Sequence, residues 1–380
     1  MDPKTKAMLL FYNLSNSTLE HEAEMDFLSF ETKIAILVGI TFSISIIIGL
    51  IGNALVLLTF LFQKQMRSTT NIIILNLAIA ELLFIFLCVP FTGFNYVLSK
   101  WYFGDLICKV YQYMSNVTAY VIILLLVLMS LDRYLAIHTI GSTTIRNKRN
   151  ANIAIAFLWS IILILNIPHL FLWEEYSYSI PNENRTVCIL KYNIIIAKQS
   201  FDYLTENELA ELDTAKFKIK TYYTIFFIAA YVLPFLSICI IYGLLMEKLR
   251  KAKGKQVSKS KRKVTLMVVV VVSSFVLCWG PLQIMLFLQH VVNVDFNEVL
   301  ITILVISNCI AYLNTCVNPI IYGFANQDFR KAYAAILRCD YDLQRSHFSN
   351  NYTVVGAIQI KKLDSKSGKN RRSKSTQVRL

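Results

Sequence analysis

Seven long runs with almost no charged residues constrain this chain more than any other feature of its sequence. An α-helix rises about 1.5 Å per residue, so each run is long enough to cross a bilayer core of about 30 Å. A helix is favoured because backbone groups in lipid must be satisfied within the segment itself. The chain is 56% hydrophobic and only 16% charged, as expected for a polytopic membrane protein. The runs are Ile34–Gln63, Ser68–Ser99 (interrupted by Glu81), Val110–Leu131, Asn150–Trp173, Thr221–Met246, Val264–Gln289 and Val299–Gln327.

The distribution of basic residues predicts the orientation of these spans. The net charge is +14, and the segment from Lys248 to Lys263 carries nine Lys or Arg and no acid. The positive-inside rule places this segment in the cytosol, which puts the N-terminus outside and the C-terminus inside the cell. We therefore interpret the basic charge as a topology signal with affinity for anionic membrane lipids, and expect no nucleic-acid partner.

The expected architecture is an all-α membrane protein of the plasma membrane. Residues 1–33 are predicted to form a flexible extracellular tail, and residues 34–325 a seven-transmembrane helix bundle. A short amphipathic eighth helix is expected at 326–339, on the inner leaflet. Residues 340–380 are rich in Ser, Lys and Asn and are predicted to be a disordered cytoplasmic tail.

Two of the eight cysteines lie on the predicted outer side of the membrane. Cys108 precedes the third span and Cys188 lies in the second outer loop. A disulfide between them would fasten that loop to the top of the third span, in an oxidising compartment.

Sequence signals for modification fall on both sides. The Asn-x-Ser/Thr sequons on the outer side are candidate glycosylation sites. A cysteine just after the amphipathic stretch is a candidate palmitoylation site. These residues are Asn13, Asn16 and Asn184 for glycosylation and Cys339 for palmitoylation.

Glu81 lies near mid-depth of the second span, where a carboxyl group is costly to bury. One interpretation is a structural carboxyl group satisfied by Asn53, Asn314 or Asn318. The other is a cation- or proton-sensitive node in a polar core that changes between two states.

Two prolines are candidate hinges in the sixth and seventh spans. A proline frees a backbone carbonyl and permits a kink, although neighbouring helices can simply tolerate it. Pro281 lies beside Trp279, and Pro319 beside Asn318. Because aromatic and polar clusters accompany them, we expect both to take part in conformational change.

Asp132-Arg133-Tyr134 ends the third span at the predicted cytosolic edge. A salt bridge that merely anchors the interface is one interpretation. The other is a latch, in which Asp132 holds Arg133 in one state and releases it in another. A ligand can operate such a latch only by binding the two states with different affinity.

These motifs follow one another in an order that is more specific than any of them alone. The set resembles the rhodopsin-like (class A) G-protein-coupled receptors, over roughly residues 34–339. The motifs are Gly52-Asn53, Asn76-Leu77-Ala78-Ile79-Ala80-Glu81, Cys108, Asp132-Arg133-Tyr134, Trp159, Pro234 with Tyr242, Cys278-Trp279-Gly280-Pro281 and Asn318-Pro319-Ile320-Ile321-Tyr322.

The resemblance implies a receptor that binds its ligand in the outer half and a G-protein in a cytosolic cavity. Phe275 and Trp279 would relay the signal, and Arg133 would rearrange with two tyrosines. The family's acid in the second span is usually aspartate, so Glu81 weakens the case for sodium binding, and no cofactor is expected. The implied switch comprises Glu81, Asp132, Arg133, Tyr134, Tyr242, Phe275, Trp279, Pro281, Asn314, Asn318, Pro319 and Tyr322.

The ligand expected from the sequence is a peptide. Span 7 has no lysine, which excludes a retinal Schiff base, and Ser115 stands where amine receptors carry aspartate. Four stretches are similar to galanin and allatostatin-A receptors, which implies a short, C-terminally amidated neuropeptide and inhibitory (i/o) coupling. Tachykinin-like and neuropeptide-Y-like receptors are the alternative. The stretches are Trp101–Tyr113, Val117–Tyr120, Leu126–Ala136 and Ile145–Ala151.

Further partners and the competing functions follow from the same residues. Receptor kinases and arrestin are expected to act on the Ser/Thr-rich tail. A transporter would need several charged residues at mid-depth, where only Glu81 is present, and the five histidines are too scattered for a metal-dependent enzyme. The candidate ligand contacts are Gln112, Ser115, Asn116, Glu174, Glu175, Gln283, Phe287 and His290.

Overall fold

Seven long apolar helices dominate the structure, a computed structural model that describes residues 17–63, 66, 68–98, 100–137, 145–180, 183–198, 206–251, 259–295 and 297–338. All seven are long and apolar enough to cross a membrane, which confirms the predicted seven-span, all-α fold. In chain order, spans 1 to 7 are Ser29–Phe62, Thr69–Val97, Gly104–Ile137, Lys148–Leu172, Asn207–Lys248, Lys263–Val292 and Glu298–Ala325.

Several spans are built from more than one helical element, and one hairpin separates spans 4 and 5. The helices are α1 (Ser17–Phe62), α2 (Thr69–Leu87), α3 (Val89–Val97), α4 (Gly104–Ile137), α5 (Lys148–Leu165), α6 (His169–Leu172), α7 (Lys191–Lys198), α8 (Glu206–Phe227), α9 (Leu233–Lys251), α10 (Lys259–Phe287), α11 (Glu298–Ala325) and α12 (Gln327–Leu337). The remaining elements are strands β1 (Trp173–Ile180) and β2 (Glu183–Leu190), and π-helical turns at Ile228–Val232 and Leu288–Val292.

Span 3 lies at the centre of the bundle. It is one unbroken helix that contains both Cys108 and Arg133, and it begins at Gly104, whose φ of 77° favours glycine. In spans 2 and 3, 56% of the most apolar stretch is buried, against 17% in spans 4 and 5. Below, the end of the bundle that carries Cys108 is called the hairpin end, and the opposite end is called the Arg133 end.

Two helices begin earlier than the sequence predicted. α1 starts at Ser17, so the described part of the expected flexible tail, up to residue 33, is helical. α8 starts at Glu206, well before the apolar run that begins at Thr221. Both segments are rich in good helix formers such as Glu, Ala and Leu, and neither contains Gly or Pro. Nothing therefore stops the apolar helix from continuing toward its N-terminus.

Prolines interrupt some spans and not others. Span 2 breaks at Cys88, whose φ and ψ are −124° and −51°, and restarts with Pro90 in the first turn of α3. In span 5 the π-helical turn at Ile228–Val232 directly precedes α9, which contains Pro234. Pro281 and Pro319 lie inside unbroken helices, so their role as hinges stays a prediction.

The loop between spans 4 and 5 contains an antiparallel hairpin that the sequence analysis did not predict. β1 pairs with β2 along eight residues each, in a register that sets Glu175 opposite Cys188. Ser and Tyr alternate in β1, and this period of two was the signal for a strand. The hairpin gives this loop a fixed geometry at the end of span 3.

Apolar side chains fill the bundle and also cover its outside, as expected in lipid. Exposed residues of the spans include Phe324 (82%) and Leu277 (73%). The predicted eighth helix is present as α12, and Asn326 caps it by accepting a hydrogen bond from the Asp328 amide at 2.9 Å. Its Phe329 is fully buried against Phe60 and Tyr322. Cys339 and the tail 340–380 lie outside the described residues.

Candidate functional site

The β1–β2 hairpin is fastened to the head of span 3 by a covalent bond and by backbone contacts. Cys108 and Cys188 form the predicted disulfide, with their Cα atoms 5.5 Å apart. The Glu175 amide donates to Asp105 at 3.1 Å. In addition, the Trp101 amide donates to the carbonyl of Thr186 at 2.8 Å. The hairpin is therefore held in place over one end of the bundle.

Trp101 anchors the loop between spans 2 and 3 beneath the hairpin. Its side chain is 1% exposed, and its indole N–H donates to the Gly104 carbonyl at 3.0 Å. The hydroxyl of Thr186 donates to the Trp101 carbonyl, so the loop and β2 are joined in both directions. Phe103 and Tyr111 pack on the indole with ring centroids 5.1 and 5.7 Å away.

The candidate ligand contacts occupy the hairpin half of spans 3 and 6. On span 3, Asn116 is buried and its amide donates to the Gln112 carbonyl at 2.9 Å, while Ser115 is half-buried. On the hairpin, the side chain of Glu174 is exposed and that of Glu175 is half-buried. The structure thus places the predicted contacts around one end of the bundle.

Two polar side chains on span 6 are buried without a protein partner for one atom. Gln283 is 3% exposed and its Oε1 accepts no hydrogen bond. His290 is 7% exposed, its ring is stacked on Tyr223 at 3.7 Å, and its Nδ1 has no hydrogen-bond partner. Phe287 lies between these two residues in the sequence, and its ring packs on that of Phe227 with the centroids 4.7 Å apart. Buried polar atoms are normally paired, so these two atoms are available to a bound molecule.

A small cavity connects Gln283 to the aromatic pair deeper in the bundle. Its lining includes Gln283, Tyr231, Phe275 and Trp279. The rings of Phe275 and Trp279 are stacked at 5.7 Å, and Trp279 also contacts Phe84 at 6.2 Å. The predicted relay residues therefore lie directly below the candidate ligand contacts.

A polar centre lies at mid-depth, around Glu81. Glu81 is 1% exposed, and one of its carboxylate oxygens accepts a hydrogen bond from the side-chain amide of Asn318. Asn53 donates to the carbonyl of Thr315 at 3.2 Å, which ties span 1 to span 7. The second oxygen of Glu81 and the side-chain oxygens of Asn53, Asn314, Asn318 and Tyr322 have no hydrogen-bond partner within the protein.

At the Arg133 end, Asp132 holds Arg133 within span 3. The Nε of Arg133 donates to Asp132 at 3.1 Å, and one of its terminal nitrogens makes a second contact with the same oxygen. Both side chains are about 5% exposed. Nearby, Ser130 and the hydroxyl of Tyr242 lie 3.4 Å apart. This is the held arrangement that a latch requires.

Two residues missed by the sequence analysis complete this cluster. Arg146, two residues before span 4, donates from its Nε to Asp132 at 2.8 Å. Thr70, in span 2, donates to Asp132 at 2.6 Å. Tyr134 lies under the ammonium group of Lys248 from span 5, at 4.3 Å. Asp132, itself in span 3, therefore contacts span 2 and the segment that leads into span 4.

Comparison with known proteins identifies the family. The family model of the seven-transmembrane receptors (rhodopsin family) matches residues 52–322. The chain belongs to this family. The "Allatostatin-A receptor" of Bombyx mori is 39% identical over 315 residues, which is 81% of each chain. A "Galanin-like G-protein coupled receptor" of Caenorhabditis elegans is 31% identical over 90% of this chain and 83% of the relative. "Galanin receptor 2b" of Danio rerio is 32% identical over 80% and 76%.

Membership confirms the recognition of a rhodopsin-like G-protein-coupled receptor made from the motif order alone. The receptor shares its family with proteins that are not enzymes, in agreement with the expectation from the sequence. No cluster of three or more metal-ligating His, Cys, Asp or Glu side chains occurs among the described residues. The roles assigned to individual residues of the receptor stay predictions.

Proposed function

We propose that this receptor responds to a short, C-terminally amidated neuropeptide of the allatostatin-A or galanin type. The observation that carries the proposal is the 39% identity to the "Allatostatin-A receptor" of Bombyx mori over 81% of both chains. The second line of support is the similarity to several relatives named as galanin receptors.

The proposed orientation places the hairpin end outside the cell and the Arg133 end in the cytosol. The strongly basic segment from Lys248 to Lys263 joins spans 5 and 6 at the Arg133 end, which agrees with the positive-inside rule. The disulfide lies at the other end, and disulfides persist in oxidising compartments. Asn184 is exposed on β2 and would be glycosylated there, whereas Asn13 and Asn16 lie outside the described residues.

The peptide would bind between the hairpin and the unpaired polar atoms of span 6. A C-terminal carboxamide has both a donor and an acceptor, so it matches a buried side chain such as Gln283, whose Oε1 has no partner. The exposed carboxylate of Glu174 would attract a basic residue of the peptide. The proposed contacts are Gln112, Ser115, Asn116, Glu174, Glu175, Gln283, Phe287 and His290.

Signal transfer would run from this site to the Arg133 end. A peptide bound at Gln283 would shift the side chains of Trp279 and Phe275, which line the same small cavity. Bending at Pro281 and Pro319 and rearrangement around Glu81 would then release Arg133 from Asp132. The cavity opened there would take an inhibitory-type G-protein. Receptor kinases and arrestin acting on the tail, palmitoylation of Cys339 and contact with membrane lipids complete the proposal.

A peptide panel on cells that express the receptor tests the ligand. We expect a fall in cyclic AMP with amidated allatostatin-A or galanin peptides and its abolition by pertussis toxin. The free-acid forms serve as matched controls and should be weaker, since they place a charge where the amide binds. A response to tachykinin or neuropeptide-Y peptides together with silence to the first two classes would overturn the assignment.

A further inference from the structure

Asp132 is a single buried carboxylate shared by two arginines. Its side chain is 4% exposed, and it contacts Arg133 of its own helix and Arg146 of the segment before span 4. The Nε of Arg146 donates to Oδ1 at 2.8 Å, and a terminal nitrogen of Arg146 also lies 3.4 Å from Oδ2, the oxygen that Arg133 and Thr70 use. The two arginines therefore bind Asp132 at the same time, with their shortest contacts to different oxygens.

Arg146 is positioned by a rigid local structure. The next residue, Asn147, caps span 4 by accepting a hydrogen bond from the Asn150 amide at 2.8 Å. The side chain of Asn150 donates back to the carbonyl of Ile145 at 3.0 Å. Arg146 thus lies between two residues held by the start of the helix. Its guanidinium also reaches Thr70 at 3.2 Å, which connects it to span 2.

The charges at this site are unequal in number. One carboxylate faces two guanidinium groups, so Asp132 still has a cation when either arginine leaves. A buried carboxylate without a cation is strongly destabilising, because its charge is then neither solvated nor paired. The side chain of Arg146 is 27% exposed and that of Arg133 is 6% exposed. Arg146 is therefore the partner with the better access to solvent, and Arg133 is the partner sealed inside.

We propose that Arg146 is a positioning residue that neutralises Asp132 when Arg133 is released. With Arg146 and Thr70 in place, release of Arg133 does not leave an isolated buried charge. The second arginine thereby lowers the free energy of the released state more than that of the held state, in which Asp132 is already paired. This inference rests on the proposed function only in taking the release of Arg133 as the signalling step.

A double-mutant cycle of thermal stability tests whether Arg133 and Arg146 share the charge of Asp132, and it needs no ligand or G-protein. The variants are Arg133→Ala, Arg146→Ala and the double variant, purified in lipid nanodiscs, with the apparent Tm measured at one scan rate. Each single change leaves Asp132 one arginine, so we expect a shift of only a few degrees. The double variant should lose about 5 °C or more beyond the sum of the two shifts.

Two further variants distinguish the effect of an uncompensated carboxylate from a general loss of packing. Asp132→Asn in the double variant should restore most of the lost Tm, because the uncompensated carboxylate is gone. Arg149→Ala is the matched control, since Arg149 is an exposed arginine only three residues further along, in the first turn of α5. Additive losses of Tm, or no rescue by Asp132→Asn, would show that Arg146 does not share the charge and would overturn the proposal.

A signalling measurement tests the consequence for the released state. Ligand-independent guanine-nucleotide exchange on a purified G-protein should fall about tenfold in Arg146→Ala, recover in Arg146→Lys and stay unchanged in Arg149→Ala. Increased exchange in Arg146→Ala would mean that Arg146 locks the held state, contrary to the proposal. A wild-type receptor that drives no exchange on any G-protein, even with amidated allatostatin-A or galanin peptide present, would refute the proposed function, whereas the stability cycle would still decide the role of Arg146.

Discussion

Gly52 offers a sharp test of how spans 1 and 7 pack. A Cβ atom at Gly52 would lie 2.9 Å from both Cβ and Cγ of Pro319, closer than real Cβ contacts allow. Pro319 is a rigid ring inside α11, so the helices themselves must move apart. Overpacking of this kind costs about 1–3 kcal/mol. The same shift would also disturb the hydrogen bond from Asn53 to the Thr315 carbonyl.

A matched control isolates that contact. Gly243 is also in a helix, and a Cβ there meets nothing within 4 Å. Gly→Ala in a helix gains up to about 1 kcal/mol of intrinsic propensity, and this gain is common to both sites. The apparent Tm of Gly52→Ala should therefore lie about 2–12 °C below that of Gly243→Ala, at roughly 2–4 °C per kcal/mol. Equal shifts of Tm for the two variants would refute the close approach of spans 1 and 7.

Three more predictions follow from the contacts. Cys108→Ala, Cys188→Ala and the double variant should lower Tm and peptide response to the same extent, because all three break one bond; unequal losses would contradict this. Gln283→Leu should weaken labelled-peptide binding about tenfold while Tm is kept, since its Oε1 has no protein partner; unchanged affinity would remove Gln283 from the site. Asn318→Ala should lower Tm by removing the donor to Glu81, and Glu81→Gln in that background should restore part of it; the absence of any rescue would show that the carboxylate is not the cause.

The spans were predictable because the bilayer leaves few alternatives. An apolar run of sufficient length must be a helix, so composition alone fixed their number and approximate bounds. The ends were harder to predict, because α1 and α8 continue through polar segments of good helix formers, where no bilayer constraint applies. The hairpin was missed because its alternating pattern is short and lies inside a polar loop.

At the candidate site, contacts within one helix were easier to predict than contacts between segments. Asp132 and Arg133 are adjacent, so their pairing could be expected from the sequence. For Glu81 the sequence left three candidate partners open, Asn53, Asn314 and Asn318, because all are polar residues in apolar spans, and Asn318 is the one that donates to it. Arg146 and Thr70 could not be predicted as partners of Asp132, since each is an ordinary polar residue at the edge of a span and meets Asp132 only through the tertiary fold.

The most direct test of the account is peptide-driven nucleotide exchange by the purified receptor. The receptor in lipid nanodiscs is mixed with an inhibitory-type G-protein, and exchange is followed while amidated allatostatin-A peptide is added. The account predicts saturable peptide binding in both the wild type and Arg133→Ala, with exchange raised only in the wild type. Exchange raised equally in Arg133→Ala, or no saturable binding of the peptide to the wild type, would contradict it.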